Sequence, residues 1–100
     1  MPSFVPRENP TRKKEQLLDR SEELRLAILH GKPKHTIKNL AEKYRNANLS
    51  LIKARQHYHI DMEFQNKPSG INITKLNEEK LIWKQKSLDE IIAEFNSGKN

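Results

Sequence analysis

One hundred residues, 34% apolar and 32% charged, bound the chain to one small domain with a modest core, for which helices with local contacts are the economical solution. The absence of cysteine excludes a disulfide scaffold and a thiolate metal site, and no run approaches the roughly 18 apolar residues of a membrane span. The formal charge of +6 is unevenly spread: residues 32–59 hold seven basic residues against the single acid Glu42, while residues 1–31 and 60–100 sum to +1 and −1.

Residues 1–11, with Pro2, Pro6 and Pro10 and no period, read as an extended, mobile arm. Arg7, Arg12, Lys13 and Lys14 make it basic, as suits an arm lying along a groove or along phosphates. It lacks the apolar core of a secretory signal, so a soluble chain in a reducing intracellular compartment is expected, and Asn48-Leu49-Ser50 and Asn72-Ile73-Thr74 match a glycosylation pattern by coincidence.

From Arg12 to His30 the composition is helical. Leu17, Leu24 and Ile28, with Leu18 and Ala27 beside them, form a stripe; Asp19, Arg20, Glu22, Glu23 and Arg25 take the wet side, with little i,i+4 charge pairing expected. Gly31 suits a left-handed cap and Pro33 stops continuation.

The next stretch predicts a helix-turn-helix over residues 12–60. Thr36 is placed to cap a helix whose Ile37, Leu40, Ala41 and Tyr44 sit at i, i+3, i+4 and i+7. Arg45-Asn46-Ala47-Asn48 then reads as a turn, because Asn tolerates left-handed backbone and bonds to its own chain. A second helix follows from Leu49 to about Tyr58, capped by Asn48 or Ser50. Leu51, Ala54 and Tyr58 fall on its inner side, and Ser50, Lys53, Gln56 and His57 on its outer one. The expected core is Leu24, Ile28, Ile37, Leu40, Tyr44, Leu51, Ile52 and Tyr58. A basic patch on such an element attracts phosphate and releases counterions, so double-stranded DNA is the expected partner. Ser50, Lys53, Gln56 and His57 would face bases; Lys34, Lys38, Lys43, Arg45 and Arg55 would face phosphates.

Residues 61–75 read as a linker: Asn66-Lys67-Pro68-Ser69-Gly70 is a turn by composition, and Ile71-Asn72-Ile73-Thr74 is extended. Residues 76–98 are a C-terminal helical segment. Asn77 would cap its first part, and Ser87 with Glu90 forms a capping box for the second, although one helix from Asn77 to Asn96 also fits the heptad of Leu81, Leu88 and Phe95. Leu88, Ile91, Ile92 and Phe95 make an apolar stripe that ends at Gly98. That stripe covers either the bundle or another chain, and the second option makes the protein a helical adaptor.

Chemistry is sparse. His57 and His59 would point about 200° apart on a helix, without a third ligand near in sequence, so no metal or other cofactor is expected. Paired carboxylates in a cleft and a Gly-rich phosphate loop are both lacking, so no catalytic residue is assigned and the chain is expected not to be an enzyme. Six aromatic residues spread along the chain disfavour stacking on single-stranded RNA.

Three segments, Leu26-Ala27-Ile28, Thr36 through Tyr44 and Leu49 through Arg55, together resemble the pipsqueak-type helix-turn-helix of pogo-like transposases and centromere-protein-B relatives. The resemblance covers about 30 residues. It implies DNA binding in the nucleus, with Ser50, Lys53 and Arg55 at the family's recognition-helix positions and residues 75–83 opening a second DNA-binding unit. The turn at Arg45–Asn48 lacks the family's Gly and Pro and is one residue longer. No transposase catalytic domain fits in this length, so binding without strand transfer is implied. The expected architecture is all-α, a small bundle with a helix-turn-helix core and a C-terminal helical segment.

Overall fold

A computed structural model describes residues 10–97, and the proposed N-terminal arm up to Asn9 and the Gly98 stop lie outside the described residues. Those described form four helices and no strand: α1 Pro10–Leu29, α2 Lys34–Phe64, α3 Ile73–Gln85 and α4 Leu88–Asn96. The all-α architecture is as expected. Its internal layout differs at the centre.

Helix α1 opens on Pro10, a residue suited to a first turn whose N–H groups have no helical partner. It closes as Gly31 dictates. The Gly31 φ of +65° lets its N–H reach the Ile28 carbonyl at 3.1 Å and the Lys32 N–H reach that of Ala27 at 3.0 Å, the two bonds of a Schellman cap. On its wet side Arg20 pairs with Glu23 and Arg25 with Glu22, both at i,i+3, so charge pairing is present at a spacing the i,i+4 expectation omits. The hydrogen bond from Arg25 lowers the Glu22 carboxyl below its ordinary range. Both residues are exposed, and such pairs contribute little to stability.

The turn expected at Arg45–Asn48 is not there. Helix α2 runs unbroken for 31 residues, about 46 Å at 1.5 Å per residue, and sets the 51 Å long dimension of the molecule. The physical reason is that the inward stripe does not pause: Ile37, Leu40, Ala41 and Tyr44 continue through Ala47 and Asn48 to Leu51, Ile52 and Tyr58 in helical register. No Gly or Pro lies between Lys34 and Phe64. Asn costs a helix only about 0.7 kcal/mol relative to Ala, so two of them cannot break one anchored on both sides. Asn48 is buried and its Nδ2 donates to the Tyr44 carbonyl at 3.1 Å, which satisfies the amide inside the helix. Neither Asn48 nor Ser50 caps anything.

Thr36 is likewise a helix-interior residue, because Pro33 in extended backbone takes the N-cap position without a side-chain cap bond. The far end of α2 repeats the closure of α1 with Asn66 in place of glycine. At φ +58° its N–H reaches the Glu63 carbonyl, and Lys67 reaches that of Met62.

Asn72, not Asn77, caps α3: its Oδ1 accepts from the Lys75 N–H at 3.1 Å, so Ile73 and Thr74 are helical and not extended. The chain breaks at Lys86, and the Ser87–Glu90 capping box opens α4 as expected, with bonds of 3.1 and 3.2 Å. One helix from Asn77 to Asn96 is thereby excluded.

The core gathers where α1, α2 and α4 meet. Leu24, Ala41 and Ile91 are fully buried, ringed by Ile28, Ile37, Leu40, Tyr44, Trp83, Leu88, Ile92 and Phe95. Tyr44 stands at its centre, edge-on to Trp83 at 5.7 Å and to Phe95 at 5.2 Å, contacts worth about 0.5–1.5 kcal/mol each beyond area burial. The stripe of Leu88, Ile91, Ile92 and Phe95 therefore packs inside its own chain, and the expectation that it forms an open partner-binding face is corrected. A short helix of nine residues is marginal unless its apolar face is covered, and α1 and α2 cover it.

Candidate nucleic-acid interface

With one continuous α2, the expected DNA-contacting residues distribute around a single cylinder. Lys43, Ser50, Lys53 and His57 stand at i, i+7, i+10 and i+14, within one side of the helix at roughly 100° per residue. Asn39 and Asn46 fall on the same side and are exposed, as are Lys43 and Lys53, while Ser50 and His57 are half-buried. These six cover about 27 Å of helix. Sequence reasoning missed Asn39, and it assigned Asn46 to a turn. Extending the 3.6-residue period across the Asn pair would have found both.

The remaining expected contacts turn elsewhere. Arg45 donates through Nη1 to the Lys86 carbonyl at 3.3 Å, tying α2 to the α3–α4 junction. Gln56 donates to the Asn77 Oδ1 at 2.6 Å across the α2–α3 seam, so its amide is engaged within the fold. Arg55 is half-buried on the side of α2 that meets α3, about 200° from Lys53. Lys34 is exposed and Lys38 half-buried near the start of α2, on the flank that Arg45 shares.

His57 is a limited contact, because its Nδ1 is buried without a hydrogen-bond partner. Its neighbour His59 has a structural role. The His59 Nδ1 is 2.6 Å from the Ser69 Oγ, Ser69 accepts from the Ile71 N–H at 3.2 Å, and the His59 Nε2 is 3.4 Å from Glu63, so loop 65–72 is held against α2. Among the described residues no group of three or more His, Asp or Glu is placed to hold a metal ion.

Among the described residues no acid pairs with Lys34, Lys38, Lys43 or Lys53. Lys86 differs: it pairs with Glu94 at 3.0 Å and lies 4.4 Å over the Trp83 ring. The lysines of α2 are therefore open to an outside anion. No helix of the described residues is long and apolar enough to cross a membrane. No protein-family model, curated protein or solved structure matches this chain.

Proposed function

We propose that the chain binds double-stranded DNA without catalysis, laying the outer face of α2 along the major groove. The observation that carries this reading is a row of polar and basic side chains, Lys43 and Lys53 among them, along the outer side of a helix that carries six basic residues against Glu42, Asp61 and Glu63. The whole surplus charge of the sequence falls in residues 32–59, and the solvent side of that stretch presents Asn39, Lys43, Asn46, Ser50 and Lys53. A major groove about 12 Å wide admits a helix, where Asn suits adenine and Lys suits guanine. Lys34 and Lys38 on the flank serve phosphates. Ser50 and Lys53, two of the positions matched to the pipsqueak-type unit, share this side and Arg55 lies across the helix from them; because α2 has no turn, the reading rests on the face itself and not on that resemblance. Such a protein would work in the nucleus or wherever DNA is kept.

The adaptor reading has no apolar stripe on α4 to use. Its remaining candidates are scattered exposed residues such as Leu18, Leu29, Phe64 and Leu81.

Fluorescence anisotropy with random-sequence duplex DNA from 50 to 300 mM salt tests the proposal. Affinity should fall steeply with salt, and Lys43→Ala with Lys53→Ala should weaken binding and flatten the logarithmic salt slope by about two. Absence of binding at 50 mM salt would remove the reading.

A further inference from the structure

Ala47, Leu51, Ala54, Tyr58 and Asp61 follow one another at helical spacing along one side of α2, the C-cap Gln65 extends the row, and every one of them is buried or half-buried. Helix α3 meets α2 from another side, through Gln56 and Arg55, and α4 packs nearer its start, around Ala41 and Tyr44. The fully buried Ala54 is therefore covered by α1. Helix α1 does not reach the rest of the row. It runs antiparallel to α2 across the short loop 30–33 and shares the core with it at Leu24 and Ala41, so equal rise per residue brings Pro10 level with Arg55. Beyond that level α2 continues for about 14 Å, carrying Tyr58 and Asp61 toward Gln65.

Two features of this end ask for a further partner. The Gln65 Nε2 is buried without a hydrogen-bond partner, and a donor withdrawn from water needs an acceptor. Charge also reverses here: Lys34 through Arg55 include six basic residues and one acid, whereas residues 56–64 hold Asp61 and Glu63 and no Lys or Arg.

We propose that residues 1–9 of the same chain, which lie outside the described residues, dock on this end of α2 as an extended strand that continues the line of α1. Length suffices, since nine extended residues span up to about 30 Å at roughly 3.3 Å each, about twice the distance to be covered. In that register the three residues back from Pro10 bring Arg7 level with Asp61, and five bring Val5 level with Gln65. The chemistry agrees. The Arg7 guanidinium meets the Asp61 carboxylate, while Glu63 already stands 3.4 Å from the His59 Nε2. Phe4 and Val5 cover the half-buried Met62 with apolar surface, and Pro6 and Pro10 hold the residues before them extended. An extended backbone presents carbonyls on its flank, one of which accepts from Gln65. The occupant is chosen by reach and by sign of charge, and the proposal needs no part of the DNA reading.

The chain has no cysteine, so Ser3→Cys gives the full chain a single site for a nitroxide label. Broadening of amide ¹H–¹⁵N signals should be strongest at residues 61–67 and weaker in the first turn of α1. Arg7→Glu should remove the broadening at 61–67, Asp61→Arg should do the same, and the two together should restore it. Signals around Leu24 and Ile91, far from both changes, report that each variant is folded. Broadening centred on the first turn of α1, or a charge swap that restores nothing, would overturn the docking. A mixture of unlabelled ¹⁵N chain with nitroxide-carrying ¹⁴N chain separates the remaining occupant. It should show no broadening, and broadening at 61–67 there would give this end of α2 to a second copy and overturn the proposal as well.

Discussion

The two ends of α2 are held by different physics. Around Ala41 and Tyr44 the helix is surrounded by Leu24, Ile91, Trp83 and Phe95, and stability there comes from apolar burial and edge-on rings. Around His59 and Phe64 it is held by hydrogen bonds to a loop, while Ile60 and Phe64 remain 55% and 88% exposed. One helix thus joins a dense end to a sparse one. The lesson is that helix length was set by continuity of the inward stripe, and local stability by what happened to cover it.

Substitutions can break that contrast. At the dense end, Leu24→Ala should cost about 2–5 kcal/mol, because it leaves a cavity in a site with no solvent access, and Ile91→Asp should prevent folding by burying an unpaired charge. Urea denaturation followed by circular dichroism would show both, and a tolerated Ile91→Asp would mean that α4 is not docked. In mid-helix, Asn46→Pro should cost about 3 kcal/mol or more, since it removes an N–H and clashes with the Glu42 carbonyl. A turn at this position would accept proline with little loss, so the same denaturation experiment distinguishes a continuous α2 from a helix-turn-helix.

At the sparse end the effects shrink. Ser69→Ala should cost about 1 kcal/mol by leaving the His59 ring and the Ile71 amide without their shared partner, with faster amide exchange confined to residues 66–71. Phe64→Ser should change stability by no more than about 0.5 kcal/mol, since the ring has almost nothing to lose. A large loss there would show that Phe64 is covered in solution.

Local signals were legible where they ask for one residue and a fixed geometry. Gly31 as a left-handed cap, Ser87 with Glu90 as a capping box, and the four-residue stripes of α2 and α4 were all readable, because each depends on neighbours within a turn. The Asn46–Asn48 pair misled for the same reason. Its turn propensity is local and small, whereas the packing that overrides it joins Tyr44 to Trp83 and Phe95, some 40 and 50 residues away. Thr36 and Asn77 failed as caps because Pro33 and Asn72 stand earlier in the chain and fit the position first.

The candidate interface divides along the same line. That a basic stretch faces water on one side was fixed by composition and by the 3.6-residue period alone, since charge cannot be buried cheaply and apolar residues mark the other side. Which polar residues stay free was not. Arg45 is drawn to the Lys86 carbonyl and Gln56 to Asn77, both partners more than 18 residues distant that only the docking of α3 and α4 brings near, and Arg55 turns toward the first turns of α3. The sequence by itself determined helices, caps and a charged stretch, because these are written in nearest-neighbour chemistry. Only the tertiary structure decided that two expected helices are one and that the α4 stripe faces inward, because both depend on which surfaces the chain finds to cover.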